Sequence, residues 1–273
     1  MDLNRVTEFY QPTSLATVPK WKEGFAWLAG GTWLFSEPQP SVCALIDLDT
    51  LSWPALQLLP QGLEIASTCK IAELESFRSP YEWKAASLIP QCCRALLASF
   101  KIWNTASVGG NICLSLPAGA MISLTAALEG VATIWTLDGA SREVLIVDFV
   151  TGNHTNVLAP GELLRSILLP AAAMRKRFAF RRFSLTSMGR SSVFLIGTLC
   201  PIAGTLRITV TASTVVPIAL VFDYYPDSAE LAAAIDEVVT FDLYFDDPHG
   251  TREHRRHLTY YYAEQIRAEL EGA

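Results

Sequence analysis

Two short segments, Ala29-Gly30-Gly31-Thr32 and Ser107-Val108-Gly109-Gly110-Asn111, carry the residue types best suited to gripping an anion. A Gly-Gly pair lets backbone N–H groups come close to a ligand, because no Cβ intervenes. Successive N–H groups in such a turn form a concavity that suits phosphate. One such turn is common in plain hairpins. Two of them, each followed by an apolar segment, suggest two loops gripping one diphosphate. On residue types alone, a phosphate-bearing ligand and a pair of ordinary turns both stay open.

Spacing excludes several other chemistries. Neither segment continues into Gly-Lys-Ser/Thr, and neither is a G-x-G-x-x-G dinucleotide fingerprint. No G-x-S-x-G, H-E-x-x-H or EF-hand pattern occurs. The six cysteines show no C-x-x-C or cluster spacing and read as thiols in a reducing, cytoplasmic setting. His254 and His257 stand at i, i+3 on an expected helix, but Arg255 and Arg256 between them favour a solvated face over a metal pair. The basic run Arg175-Lys176-Arg177, with Arg181-Arg182 after it, is interleaved with Phe178, Phe180 and Phe183. That pattern reads as an alternating strand with a solvated basic face, an anion-facing strand being the alternative.

The elements that must position the two segments follow from periodicity. Phe25-Ala26-Trp27-Leu28 is a short strand ending in the first glycine turn, and 41–48 is a second, buried strand. Residues 62–66 alternate as a strand, 70–77 form a short helix, and 87–99 carry a helical period that runs up to the second segment. Residues 122–128 are expected as helix and 131–137 as strand, with Asp138-Gly139 marking a hairpin. A strand over 163–169 stops at Pro170. Strands follow at 177–183, 192–199, 205–211 and 215–222. Two helices close the chain, capped by Ser228 and Thr251, the second with Leu258, Tyr262, Ile266 and Leu270 on its buried face.

The chain has 273 residues, 51% hydrophobic and 18% charged, which is a folded, core-rich composition. A net charge of −6 argues against a nucleic-acid surface. A mean hydropathy of +0.28 points either to a generous core or to apolar surface meant for partner subunits. Residues 1–10 show no signal pattern. The charge-free stretch 102–128 is rejected as a membrane span because Pro117, Gly109-Gly110, Asn104 and Asn111 interrupt it.

Leu28-Ala29-Gly30-Gly31-Thr32-Trp33-Leu34 resembles the "AGGTDLL" turn of the FAD-binding (medium) subunit of the molybdenum hydroxylases, the xanthine dehydrogenase–carbon monoxide dehydrogenase family. Asn104-Thr105-Ala106-Ser107-Val108-Gly109-Gly110-Asn111-Ile112 resembles its second signature, "RNxATIGGNI". Pro160-Gly161-Glu162-Leu163-Leu164, Ala179-Phe180-Arg181-Arg182 and His254-Arg255-Arg256-His257-Leu258 resemble later family segments in the same order. The resemblance implies an α+β fold: a two-part FAD-binding domain of the vanillyl-alcohol-oxidase (PCMH-like) type, then a C-terminal α+β domain like that of carbon monoxide dehydrogenase flavoproteins. The expected units are 1–170, in parts of about 1–52 and 53–170, and 171–273.

It further implies that Ala29, Gly30, Gly31, Thr32, Trp33 and Leu34 form one cofactor-binding turn and Ala106, Ser107, Gly109, Gly110 and Asn111 the other. Leu164 and Arg181 take positions where the family places an apolar and a basic contact to the flavin end. No catalytic or metal-ligating residue is expected in this chain. Molybdopterin belongs to a large partner subunit and [2Fe–2S] clusters to a small one, in a heterotrimer or a dimer of heterotrimers. The chain departs from the signatures at Trp33, Trp103, Leu114, Leu116 and Ala120. Those departures motivate an alternative, a scaffold or assembly subunit with a degenerate flavin pocket. A free-standing FAD reductase of the cell-wall-precursor type shares the fold, but the C-terminal match and the missing Ser/Glu context count against it.

Overall fold

The computed structural model describes residues 3–187 and 189–272; Met1, Asp2 and Ala273, at the ends of the expected units, lie outside the described residues, as does Met188. A parallel three-stranded sheet opens the chain, with β3 (Ala44–Asp47) between β1 (Glu8–Tyr10) and β2 (Phe25–Leu28). Ala44, Leu45 and Ile46 are all buried, which is why β3 reads as a continuous apolar run. β2 ends opposite Asp47, so the first glycine turn leaves the carboxyl edge of this sheet. In open parallel sheets that edge is where ligands bind.

An antiparallel sheet of order β4-β5-β10-β6-β7 follows, built from β4 (Leu56–Leu59), β5 (Gly62–Ala66), β6 (Val131–Trp135), β7 (Ser141–Leu145) and β10 (Leu163–Pro170). Gly139, at φ +88°, makes the expected hairpin between β6 and β7. Helices α1 (Ile71–Glu75), α2 (Leu88–Ala95), α3 (Phe100–Trp103), α4 (Val108–Cys113) and α5 (Ala120–Ala127) lie between β5 and β6. The helix expected over 87–99 stops at Ala95, because Leu96 turns to extended backbone. The Trp103 indole N–H donates to the Leu96 carbonyl at 3.0 Å, satisfying a group that the ending helix leaves open. A short helix α6 (Ile146–Phe149), a small ribbon of β8 (Val150–Gly152) and β9 (Thr155–Asn156), and α7 (Ala171–Met174) complete this part.

The last third is an antiparallel meander of β11 (Arg177–Phe183), β12 (Val193–Leu199), β13 (Leu206–Thr211) and β14 (Ile218–Phe222), then α8 (Ser228–Val238) and α9 (Arg252–Glu271). Thr251 caps α9 as expected, accepting the His254 N–H. α8 is capped by Asp227 rather than Ser228. Asp227 accepts the Glu230 N–H and Glu230 accepts the Asp227 N–H, both at 2.8 Å, a reciprocal box that a serine one residue later could not form.

Every residue of β12 is buried, because its sheet is covered on both faces. Phe194 and Ile196 join the core beneath α5, while Val193, Leu195 and Leu199 join the core beneath α9. α5 is apolar but for Ser123 and Thr125 and is buried at all eight positions, as a helix between two packed layers must be. Its Ser123 hydroxyl meets the Thr211 hydroxyl of β13 at 2.6 Å.

Two expectations for the charged runs are corrected by this double coverage. The basic face of β11 is not simply solvated: Arg182 donates to Ser191 Oγ and Gly189 O, both at 2.7 Å, and Arg177 donates to Leu270 O at 3.1 Å. Arg255 is 1% exposed rather than on a solvated helix face. It donates to Asp247 Oδ1 at 2.5 Å, Ser192 O at 3.1 Å, Gly250 O at 3.0 Å and the Ala212 carbonyl. A buried guanidinium persists only when its donors are matched in this way. Of the thiols, Cys69, Cys92 and Cys93 are buried and all six are free. Among the described residues no helix is long and apolar enough to cross a membrane, and 102–128 breaks into separate short helices.

Candidate cofactor-binding site

The first glycine turn is pressed against the approach to the second. A Cβ on Gly30 would stand 2.0 Å from the Thr105 carbonyl oxygen and 3.0 Å from Ala106 Cα. Gly31 adopts φ +67°, a left-handed conformation that most side chains resist. The turn is closed by Phe35 N–H to Gly31 O at 2.8 Å and Ser36 N–H to Trp33 O at 2.9 Å. None of the N–H groups of Gly30, Gly31, Thr32, Trp33 or Leu34 donates to a protein acceptor among the described residues. Five consecutive amides are therefore left for a ligand or water.

The second segment is built differently. It is the capped first turn of α4, not an open glycine turn. Val108 N–H donates to Cys69 O and Gly109 N–H to Ser67 O, both at 2.8 Å; Asn111 N–H donates to Ser107 O at 3.0 Å. Gly110 N–H donates to Ser107 Oγ at 3.0 Å. Glycine is required at 109 because a Cβ there would lie 2.3 Å from Ser67 Cβ. What this wall can still offer a ligand are the Ser107 N–H, which donates to no protein acceptor among the described residues, the Ser107 hydroxyl proton and the Asn111 Nδ2. Asn111 Oδ1 is occupied, accepting Met121 N–H at 3.0 Å and so fixing the start of α5.

Between the two walls lies a cavity of about 690 Å³. It is lined by Trp27 to Leu34 from the first turn, by Ala106, Ser107 and Gly109 to Asn111 from the second, and by Leu163 and Leu164 from β10. Leu96, Leu97 and Leu158 add apolar surface. Burial pushes the Cys113 thiol of this wall up to about 12, so it is neutral at physiological pH. The Trp33 ring sits against His154, with centroids 5.7 Å apart. The Pro160-Gly161-Glu162 turn joins the sheets around the cavity. Trp27 Nε1 donates to Glu162 O at 3.0 Å, and Arg142 forms a two-pronged pair with the Glu162 carboxylate at 3.0 and 2.7 Å.

Twelve of the thirteen residues expected to bind cofactor line this one cavity; Arg181 does not. Its guanidinium donates to Gln265 at 2.8 Å and Glu269 at 2.6 Å, both on α9. The cause is strand alternation: Phe178 and Phe180 face the α5 side of β11, and Arg181, with Ala179, takes the other side. The cavity instead receives Arg190, which follows β11 in a loop, and Ser67, just after β5. Neither belongs to a glycine motif, and no periodic signal marks them. The histidine pair is dispersed: His254 packs on Phe183 and His257 stacks on Tyr261. No cluster of metal-ligating side chains occurs among the described residues.

Residues 5–172 match a family profile described as the FAD binding domain in molybdopterin dehydrogenase. Xanthine dehydrogenase of Oryza sativa subsp. japonica is 31% identical over 121 residues, covering 42% of this chain and 9% of that protein. Xanthine dehydrogenase 2 of Arabidopsis thaliana is 26% identical over 183 residues, covering 61% and 13%. The chain thus spans about a tenth of the length of these relatives. Quinoline 2-oxidoreductase from Pseudomonas putida 86 superposes with a TM-score of 0.77 at 20% identity, covering 98% of each chain. Reconstituted CO dehydrogenase from Oligotropha carboxidovorans superposes with a TM-score of 0.79 at 19% identity over 95% of each. The structural likenesses establish the α+β fold, and the profile match, spanning more than half of the chain, establishes the relationship: the chain belongs to the FAD-binding domain family of the molybdopterin dehydrogenases.

Proposed function

We propose that this chain is the FAD-binding electron-transfer subunit of a molybdopterin-dependent hydroxylase or dehydrogenase. It works beside a small [2Fe–2S] subunit and a large molybdopterin subunit on which substrate is oxidised. The observation that carries the reading is the meeting of both glycine segments at one cavity, with the amides of Gly30 to Leu34 unengaged. The residues present fit FAD. A volume of about 690 Å³ lies within the range of sites for sizeable organic ligands. An unpartnered amide row suits a diphosphate, and the leucine-rich remainder suits a flat aromatic ring.

When bound, FAD supplies the redox chemistry, and the protein supplies position, electrostatics and exclusion of water. The amides of the first turn orient the diphosphate and offset its charge. Ser107 and Asn111 donate from the opposite wall. Leu164 and its neighbours exclude water from the ring, and the neutral Cys113 thiol adds no charge beside it. Arg181 is assigned to the fold, tying β11 to α9. The family profile ends at residue 172, which supports dividing the chain into 1–170 and 171–273.

Partner subunits are supported by the neighbours, among them a CO dehydrogenase from Hydrogenophaga pseudoflava described as lacking the Mo-pyranopterin moiety of its cofactor. The test is to purify the chain with whatever co-purifies and to measure FAD, iron and molybdenum per chain. Flavin absorbance that bleaches on substrate addition supports the proposal. A complex that turns over substrate fully while free of flavin overturns it, and would leave the scaffold role.

A further inference from the structure

We propose that Ser67 is an additional cofactor-binding residue, whose hydroxyl donates to the ligand's diphosphate from the wall of the second segment. The inference rests on the FAD reading above and goes beyond it, since no glycine signature contains Ser67. Three observations converge on this side chain. Ser67 lines the cavity and is 3% exposed. Its Oγ is buried with no hydrogen-bond partner. Its backbone is already fixed: Ser67 O accepts Gly109 N–H at 2.8 Å, and Ser67 N–H donates to Arg165 O at 3.0 Å.

A buried hydroxyl without a partner is a standing cost to the fold. Such a group is retained where a ligand completes it. The amide inventory says what that ligand presents. The first turn offers five unengaged N–H groups, whereas Val108, Gly109, Gly110 and Asn111 spend theirs inside the protein. An anion held between the walls can therefore receive hydrogen bonds on the second side only from side chains and from the Ser107 N–H, which donates to no protein acceptor among the described residues. Ser67 touches that wall at its closest point, where Gly109 admits no Cβ beside it. A serine hydroxyl turns between staggered wells at small cost, so it can swing to an anionic oxygen once one arrives.

The test compares the full-length apo chain with Ser67→Ala, using FAD, ADP and riboflavin as probes in equilibrium titrations, with thermal melting as a second readout. Ser67→Ala is expected to weaken FAD and ADP about tenfold, the size of one hydrogen bond to a charged group. Riboflavin, which has no phosphate, is expected to bind both proteins equally. The apo variant is expected to melt at the same temperature as wild type or higher, because the orphaned hydroxyl is gone. A purely structural serine would move melting down and leave the ADP affinity alone. Equal FAD and ADP affinities in the two proteins overturn the assignment of Ser67 while leaving the FAD reading intact. An equal loss for riboflavin overturns the assignment to the diphosphate. A wild-type chain that takes neither FAD nor ADP overturns both.

Discussion

Replacing Gly30 with alanine tests whether the two glycine segments are held together by backbone contact. The added Cβ would stand 2.0 Å from the Thr105 carbonyl oxygen and 2.8 Å from its carbon, with Ala106 Cα at 3.0 Å. Ordinary van der Waals contact lies near about 3.5 Å, so one backbone must retreat by more than about 1 Å. No flexible side chain is available to absorb the shift. Overpacking of this kind costs typically about 1–3 kcal/mol, which for a chain of this size lowers Tm by roughly 2–12 °C. The same retreat parts the two walls of the cavity, and FAD affinity should fall with it. Gly110→Ala is the matched control. There the Cβ meets only Ser107 Oγ at 2.9 Å. The strained cap costs about 1 kcal/mol, and alanine returns about as much in helix propensity, so Tm should barely move. Differential scanning calorimetry and FAD titration of both variants decide the matter. If Gly30→Ala melts like wild type and binds FAD unchanged, the contact does not shape the site.

Arg181→Ala should leave FAD affinity unchanged and lower stability by no more than about 1 kcal/mol, as expected for a partly exposed pair, because its partners are Gln265 and Glu269 rather than the cavity; a titration showing loss of FAD would refute this placement. Arg255→Met should be far more damaging, on the order of 3–5 kcal/mol by chemical denaturation, since it strands Asp247 and three carbonyls that the guanidinium satisfies. The pair of Arg142 and Glu162 gives a pH dependence. The hydrogen bond from Arg142 holds the Glu162 carboxyl below its ordinary value. A carboxylate so depressed contributes stability that is fully present above the unfolded pKa, about 4.3, and is lost as pH falls through the lower folded value. Tm of Glu162→Gln should therefore fall less steeply than that of wild type on acidification below about pH 4.3, and identical slopes would show that the pair does not set the acid limb.

Much of the path to the cavity is legible in the residues. β2, β5, β6 and β10 announce themselves by apolar runs bounded by glycine and proline, and both glycine segments are visible as such. What the residues did not reveal is how unequal those segments are. Gly30-Gly31 and Gly109-Gly110 look alike as dipeptides, yet only the first leaves its amides open. Gly110 is closed locally by the Ser107 cap, but Gly109 and Val108 are closed by Ser67 O and Cys69 O, about forty residues upstream of the amides they occupy. A hydrogen-bond partner at that separation leaves no trace in local pattern. Ser67 is invisible for the same reason, since only the fold places it beside Gly109. Arg255 is a different kind of miss. It lies in phase with Thr259, Ala263, Ile266 and Leu270, all buried on α9, so its spacing did mark the inward face. The charges of Arg255 and Arg256, side by side, point the other way, to solvent. Position on the helix outweighed charge, because a matched set of four acceptors was waiting for the guanidinium.

That buried arginine also bears on how the cavity is kept in shape. Through Ser192 O and Ala212 O it clamps the ends of β12 and β13, whose outer face carries α5, and α5 is fixed at its start by Asn111 from the second wall. Thr211 and Ser123 bridge the same two layers. An unbroken line of satisfied polar contacts thus runs from α9 to the residue beside Gly110. If α5 were free to shift, the Met121 amide would leave Asn111, the Asn111 side chain would turn away, and the second wall would lose one of its few donors. The C-terminal part therefore shapes the cavity through α5 as well as through the loop that carries Arg190. Asn111→Leu should weaken FAD binding and destabilise the α5 layer together, whereas Arg181→Ala, on the opposite face of the same sheet, should do neither to any large extent.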